Sequence, residues 1–358
     1  MVKRGKFGDR PGTEDPLEVA TRAVAPMPLT TQPMVAVRPD GVEPRSLAHT
    51  VDIARTAMIQ AAGVPAVLGE RAPAPIDQQP PEIGLTQHHL PEDRKPDDRL
   101  ILHLAPDSER AAQFRVLRHH MLAAGRPQVI VVTSPTAGDG KTTTAVNLAL
   151  ALAECDRAKV LLVETHLRRP QLSSVFAVVP PWCFAEQLAA HRHQPLLPWG
   201  LIDIPQLWLH VAAVNPKPDH AQLLDAPAFA IAMERLRLGG YDHIVIDTAP
   251  YLGLLTTNAL TACDQVLVPV SCEYLPILGL KLFSETLARI RTRLGAPCPV
   301  LGYLLTLYDG RERITVEVEA ILRRTFGDLV FPEPVRINTR HKASPSHRKT
   351  IFEFEGKA

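Results

Sequence analysis

The feature that most limits what this chain can fold into is SPTAGDGKTTT (134–144), set between QVIVVTS (128–134) and KTTTAVNLALALAE (141–154). The first flank reads as a buried strand and the second as a helix, so the stretch is a strand–loop–helix turn. Gly138 and Gly140 let the backbone curl until successive N–H groups point inward. The following helix adds the positive end of its dipole, and together they make a cradle for a polyphosphate. The expected contacts are Ala137, Gly138, Asp139, Gly140, Lys141, Thr142 and Thr143. Lys141 is placed to reach the β- and γ-phosphates, Thr142 to put its hydroxyl on Mg²⁺, and Thr143 to bond the α-phosphate. The pattern GxxxxGK[ST] asks for glycine at 135, where Pro135 stands. A phosphate loop also needs a second acid near the metal, at the end of a neighbouring apolar strand. YDHIVIDTAP (241–250) supplies one in Asp247.

Further short apolar runs follow the loop: KVLLVET (159–165), LWLHVAAV (207–214), HIVIDT (243–248), QVLVPV (265–270) and PVLGYLLTL (299–307). Helix-length segments such as 228–240 and 280–295 separate them. Continuously apolar runs suit strands covered on both faces, so the expected fold is α/β, a doubly wound and mainly parallel sheet over 100–358. Composition changes near residue 100. The first 100 residues hold 14 of the 34 prolines but only one aromatic, Phe7. Such a segment buries too little apolar surface to offset its ordering entropy, so 1–99 reads as a disordered, Pro-rich arm. Within it, SLAHTVDIARTAMIQAAG (46–63) lacks proline and can place Leu47, Val51, Ala54, Met58 and Ala61 on one helical face. That pattern suits a transient helix or a docking peptide.

With 39 Lys+Arg against 38 Asp+Glu the net charge is +1, which excludes nucleic-acid affinity from overall charge and leaves only local patches. No apolar run reaches membrane-spanning length and none reads as a signal peptide. Five scattered cysteines with no CxxC pair fit neither a disulfide framework nor a zinc site, and the cytoplasm is the expected compartment.

The loop, KVLLVETHLRRP (159–170) and YDHIVIDTAP together resemble the ParA/MinD superfamily of P-loop ATPases. From 100 to about 250 the chain is similar to the CapB/CpsD tyrosine-kinase branch, through ERAAQFRVLR, SPTAGDGKT, LRRPQLSSVF and NPKPDHAQLL. From 250 onward YLGLLTTNALTACDQVLVPVSCEYLPILGL, LLTLYDGR and VRINTRHKASPSHRKTIFEFE resemble the ParA/Soj partitioning branch. The resemblance implies ATP and Mg²⁺ as ligands, with Lys141, Glu164 and Asp247 as catalytic residues and Thr142 and Asp247 on the metal.

Four departures stand out. The lysine by which ParA proteins act across a dimer is replaced by Thr136, and the paired aspartates after the second strand are Glu164 and His166. The kinase branch's C-terminal tyrosine cluster has no counterpart, since no tyrosine follows Tyr308. Of that branch's oligomerising ExxRxxR helix, Arg115 and Arg118 remain, with Ala112 at the glutamate position. Arg336, Arg340, Lys342, Arg348 and Lys349 form a stretch without acids that reads as a solvated basic loop or a non-specific DNA contact.

The resulting expectation is a nucleotide-switched positioning or partitioning ATPase with slow hydrolysis. Its expected partners are a second copy, or a protein bound through the arm, with non-specific DNA as a further candidate. The alternatives are a tyrosine kinase or regulator of polysaccharide export, and a non-hydrolysing nucleotide-binding scaffold. Trp182, Trp199 and Trp208 are expected to pack in the core or a lid.

Overall fold

The structure is a computed structural model and describes residues 80–125, 127–154, 158–215, 226–250 and 253–337. Along the chain run β1 (Ile83–Gln87), α1 (Ile101–Leu104), α2 (Glu109–Ala123), β2 (Val129–Val132), α3 (Lys141–Ala153) and β3 (Val160–Glu164). Next come α4 (Leu172–Val175), α5 (Phe184–His193), β4 (Trp199–Ile204), β5 (Leu209–Ala212), α6 (Ala226–Arg237) and β6 (His243–Asp247). The chain continues through α7 (Leu254–Ala262), β7 (Gln265–Ser271), α8 (Tyr274–Leu294), β8 (Val300–Thr306) and α9 (Arg313–Phe326).

The strands form one sheet in the order β1-β4-β5-β3-β6-β2-β7-β8. From β5 to β8 all neighbours are parallel. β4 is antiparallel to β5, and β1 runs parallel to β4, so these two strands oppose the rest. Alternation along each central strand feeds two cores. Val129, Val131, Leu161, Val163, Ile244 and Ile246 meet the inner faces of α5 to α9. Ile130, Val132, Leu162 and Val245 meet α1 to α4. This two-sided cover explains why the central strands read as unbroken apolar runs rather than alternating ones.

Among the described residues, structure is present within the stretch that composition assigns to the arm. Ile83–Gln87 form the edge strand, tied by Trp199 N to Glu82 O and His88 N to Asp203 O, both 2.8 Å. Beyond it Leu90 and Leu100 are buried in the core. The reason is that β1 joins chiefly by backbone bonds: four of its five residues are exposed and only Ile83 packs against the core, so it carries no apolar signature. β4, WGLIDI, is a strand that the sequence reading does not name, and the run at 207–214 starts as a tight turn. There Trp208 sits in the left-handed region (φ 50°) and is 69% exposed. Trp182 is also exposed and lies against Gly200, whereas Trp199 is buried and stacks on His191 at 3.7 Å. Only Trp199 of the three is a core residue. The amphipathic segment 46–63 lies outside the described residues.

Candidate functional site

The carboxyl ends of the parallel strands converge on one place, where open α/β sheets hold their ligands. β2 leads into the loop 133–140, and α3 begins at Lys141. Gly138 (φ 91°) and Gly140 (φ 83°) both adopt left-handed conformations that a side chain would strain. Gly140 is the N-cap of α3 and supplies no side chain, so the first amides of the helix stay open to an anion.

The loop's shape rests on Asp139, which is fully buried. Its carboxylate accepts from Thr136 N (2.9 Å), Thr136 Oγ1 (2.8 Å) and Ser271 Oγ (2.9 Å), and its backbone carbonyl accepts from Thr306 Oγ1 (2.8 Å). The ends of β7 and β8 thus hold the loop from behind. Thr136 fills the position where the resemblance leads one to look for a lysine, and its hydroxyl is committed inward. Lys141 is buried, and Nζ donates to Ser134 Oγ (2.7 Å) and to Thr136 O (2.5 Å). Burial lowers its pKa, while Asp139 and Asp247 act in the opposite direction.

Asp247 ends β6, in register with Val132 of β2 and with Glu164 of β3. Its Oδ2 accepts from Thr142 Oγ1 at 2.8 Å, whereas the buried Oδ1 has no hydrogen-bond partner. Burial pushes its pKa up to about 6, against the pull of Thr142, Lys141 and Arg99. An orphaned buried carboxylate oxygen beside a hydroxyl is the oxygen donor set that a hard cation such as Mg²⁺ takes, usually with waters completing the shell. The residues present fit that ion.

Glu164 is placed differently from a catalytic acid. One oxygen accepts from the amides of Gln171 and Leu172, and the other accepts from Val214 N at 3.0 Å. Both oxygens are therefore held by backbone, and the carboxylate ties the turn into α4 and the chain beyond β5 to the end of β3. Burial raises its pKa to about 7, with the three amides pulling it down. His166, half-buried, has its pKa lowered by burial and by the charges of Lys141 and Arg169, which favours the neutral ring at pH 7.

A contact 144 residues away in sequence also shapes the loop. A Cβ on Gly279, in α8, would lie 2.7 Å from Cβ of Pro135. Gly279→Ala tests which of two effects wins. Helix propensity alone would stabilise by about 1 kcal/mol. The clash requires α8 or the loop to shift, costing about 1–3 kcal/mol. A net loss in urea unfolding is expected; a gain would show that the contact is soft. Spacing within α8 held no sign of this glycine's role. Ser271 and Thr306 were visible only as polar residues at the ends of apolar runs.

Of the cations expected at an interface, the three among the described residues make contacts within the chain. Arg115 makes a two-pronged pair with Glu154 (2.9 Å on both oxygens), and Arg118 donates to Ala151 O (2.7 Å), so both clamp α2 to α3. Arg336 pairs with Glu109 at 3.0 Å and lies over the Tyr308 ring. Arg340, Lys342, Arg348 and Lys349 lie outside the described residues.

A family profile described as an AAA domain matches residues 225–297. Over 224 residues the chain is 36% identical to the chromosome-partitioning ATPase Soj of Thermus thermophilus, across 63% of this chain and 87% of that protein. The chain belongs to the ParA/MinD superfamily of P-loop ATPases. The sporulation initiation inhibitor protein Soj of Bacillus subtilis is 32% identical over 240 residues, 64% of this chain and 91% of that one. Among solved structures, cobyrinic acid a,c-diamide synthase from Mycobacterium smegmatis, with bound ADP and magnesium, is similar at 27% identity. Its TM-score is 0.50, over 59% of this chain and 87% of that one. Among the described residues of this ParA/MinD-type ATPase, no helix is long and apolar enough to cross a membrane.

Proposed function

We propose that this ParA/MinD-type chain binds ATP with Mg²⁺ in the loop 137–143 and hydrolyses it slowly in the cytoplasm. The bound and released states would switch its hold on a cargo or partner. The observation that carries the reading is Thr142 Oγ1 on Asp247 Oδ2 at 2.8 Å, with the second Asp247 oxygen buried and unpaired behind the loop. Thr142 and Asp247 are the residues to hold the magnesium, which when bound neutralises phosphate charge. Lys141 leaves Ser134 and Thr136 O for the β- and γ-phosphates, and the first amides of α3 with those of 137–140 take the remaining oxygens. Hydrolysis is in-line attack of water on the γ-phosphate, stabilised by the same donors. His166, whose pKa is lowered by burial and by the charges of Lys141 and Arg169, would accept the water's proton. Glu164 orients the segment that carries it.

Slow turnover follows from two features. Thr136 offers no charge to a partner's phosphates, and the position of the first paired aspartate holds a carboxylate already engaged by backbone. The switched state would be a homodimer or a partner bound through the N-terminal arm, and the chromosome-partitioning relatives make non-specific DNA a candidate substratum. Such binding would fall steeply with salt.

Lys141→Ala removes one or two charge-assisted contacts of about 1.5–3 kcal/mol each, so affinity for a fluorescent ATP analogue should fall roughly tenfold or more. An unchanged titration would overturn the site. Phosphate release with and without DNA, at low and high salt, tests the switch. Labelled phosphate found on a tyrosine of a partner polypeptide would replace hydrolysis with a kinase reaction.

A further inference from the structure

The segment that leads into the ATPase core reaches the nucleotide site. Arg99, half-buried, lies just before α1. Its carbonyl accepts from Asn147 Nδ2 (2.6 Å), and Leu102 N donates to Asn147 Oδ1 (3.2 Å). Asn147 is on α3, so residues 99–102 are pinned to the helix that follows the phosphate loop. The guanidinium is gripped from two sides. Nε and Nη2 donate to Oδ1 and Oδ2 of Asp97 (2.8 and 2.7 Å), and Nη1 donates to Gln171 Oε1 (2.9 Å). The backbone amide of Gln171 donates in turn to Glu164. Side-chain hydrogen bonds therefore link Asp97, Arg99 and Gln171, and Gln171 passes the link to Glu164 through its backbone amide; Glu164 is the strand neighbour of Asp247. The charge of Arg99 is felt at both carboxylates, and on Asp247 it joins that of Lys141.

We propose that Arg99 is a positioning residue for hydrolysis: through Gln171 it fixes the loop 165–171, which carries His166, relative to the phosphate loop. The inference rests on the nucleotide site proposed above. A planar fork suits this task. With two prongs on Asp97, the third points at Gln171 in one direction only, which a lysine on a flexible stem cannot reproduce. The arrangement also makes the order of the N-terminal segment felt at the loop after β3, since Arg99 belongs to the first and Gln171 to the second. Misplacing a group by about 1 Å can cost up to roughly a hundredfold in rate, so a loosened loop should slow turnover well before it weakens binding.

The test uses the full chain as wild type, Arg99→Met, Arg99→Lys, Gln171→Ala and the Arg99→Met/Gln171→Ala double variant. Three readouts are followed: phosphate release, affinity for a fluorescent ATP analogue, and backbone hydrogen exchange without nucleotide. Arg99→Met should lower turnover roughly tenfold while affinity stays within about twofold. Gln171→Ala should match it, and the double variant should lose no more than either single one. Arg99→Lys should recover less than half of the loss. Amides of 165–171 should exchange faster in each single variant, with those of 141–153 unchanged. Additive losses, affinity falling in step with turnover, full rescue by lysine or unaltered exchange would each overturn the proposal. If the wild type releases no phosphate, the hydrolytic reading fails by itself, and hydrogen exchange at 165–171 still decides the role of Arg99.

Discussion

Replacing Asp139 with alanine is expected to cost about 3–5 kcal/mol of stability and to destroy nucleotide binding with it. Two effects compete. Removing a carboxylate from a fully buried position relieves its desolvation, which favours the variant. The same change leaves its donors behind: Thr136 N, Thr136 Oγ1 and Ser271 Oγ lose their acceptor together. Each lost bond costs about 1 kcal/mol net, and each buried donor left without a partner about 1–3 kcal/mol. The donors decide the outcome, because alanine brings nothing to replace the acceptor and Ser271, buried at the end of β7, is left without it. The loss spreads directly to chemistry, since the carbonyl of Thr136 is one of the two seats of Lys141. Urea unfolding and titration with a fluorescent ATP analogue measure both consequences. Asp139→Asn, which keeps one acceptor, should fall between wild type and alanine. A midpoint unmoved in the alanine variant would mean that β7 and β8 do not hold the loop.

What could be read without coordinates was what spacing encodes. The glycines, Lys141 and Thr142 lie within five residues of one another, and their chemistry depends on that interval. Asp247 was legible because an acid at the end of an apolar strand has few other uses beside such a loop. Partnerships made across the fold were not legible. Glu164 reads as the first of the paired acids with its carboxylate one methylene further out, yet its partners are amides of Gln171, Leu172 and Val214, the last 50 residues away. Nor does the spacing of Arg115 show its pairing with Glu154, 39 residues on. β1 was invisible because an edge strand can join chiefly by backbone bonds without burying most of its side chains. Function in this chain is thus announced by local pattern, while its tuning is set by tertiary contacts that no local pattern carries.

Glu164 also predicts how stability should respond to pH. Burial raises its pKa from an ordinary 4.5 to about 7 in the folded chain. Below pH 4.5 the group is protonated both folded and unfolded, and it contributes no pH dependence. Between 4.5 and 7 the folded form keeps the proton and the unfolded form has released it, so folding takes up a proton and stability falls as pH rises. Above about 7 both forms are ionised and the dependence ends. The slope approaches about 1.4 kcal/mol per pH unit, and the whole window is worth about 3 kcal/mol. Glu164→Gln removes this dependence, since the amide does not titrate. It also turns an NH₂ toward backbone donors, which costs about 1–3 kcal/mol at every pH. At pH 5 the wild type should therefore be the more stable chain, and by pH 8 the gap should have shrunk by about 2.5 kcal/mol or reversed. Urea unfolding of both chains at pH 5, 6, 7 and 8 measures the difference. The share of Asp247, raised for the same reason, largely cancels in the subtraction. Two curves that stay parallel across that range would show that the proton is not held by Glu164, and that its carboxylate sits ionised against the three amides at every pH tested.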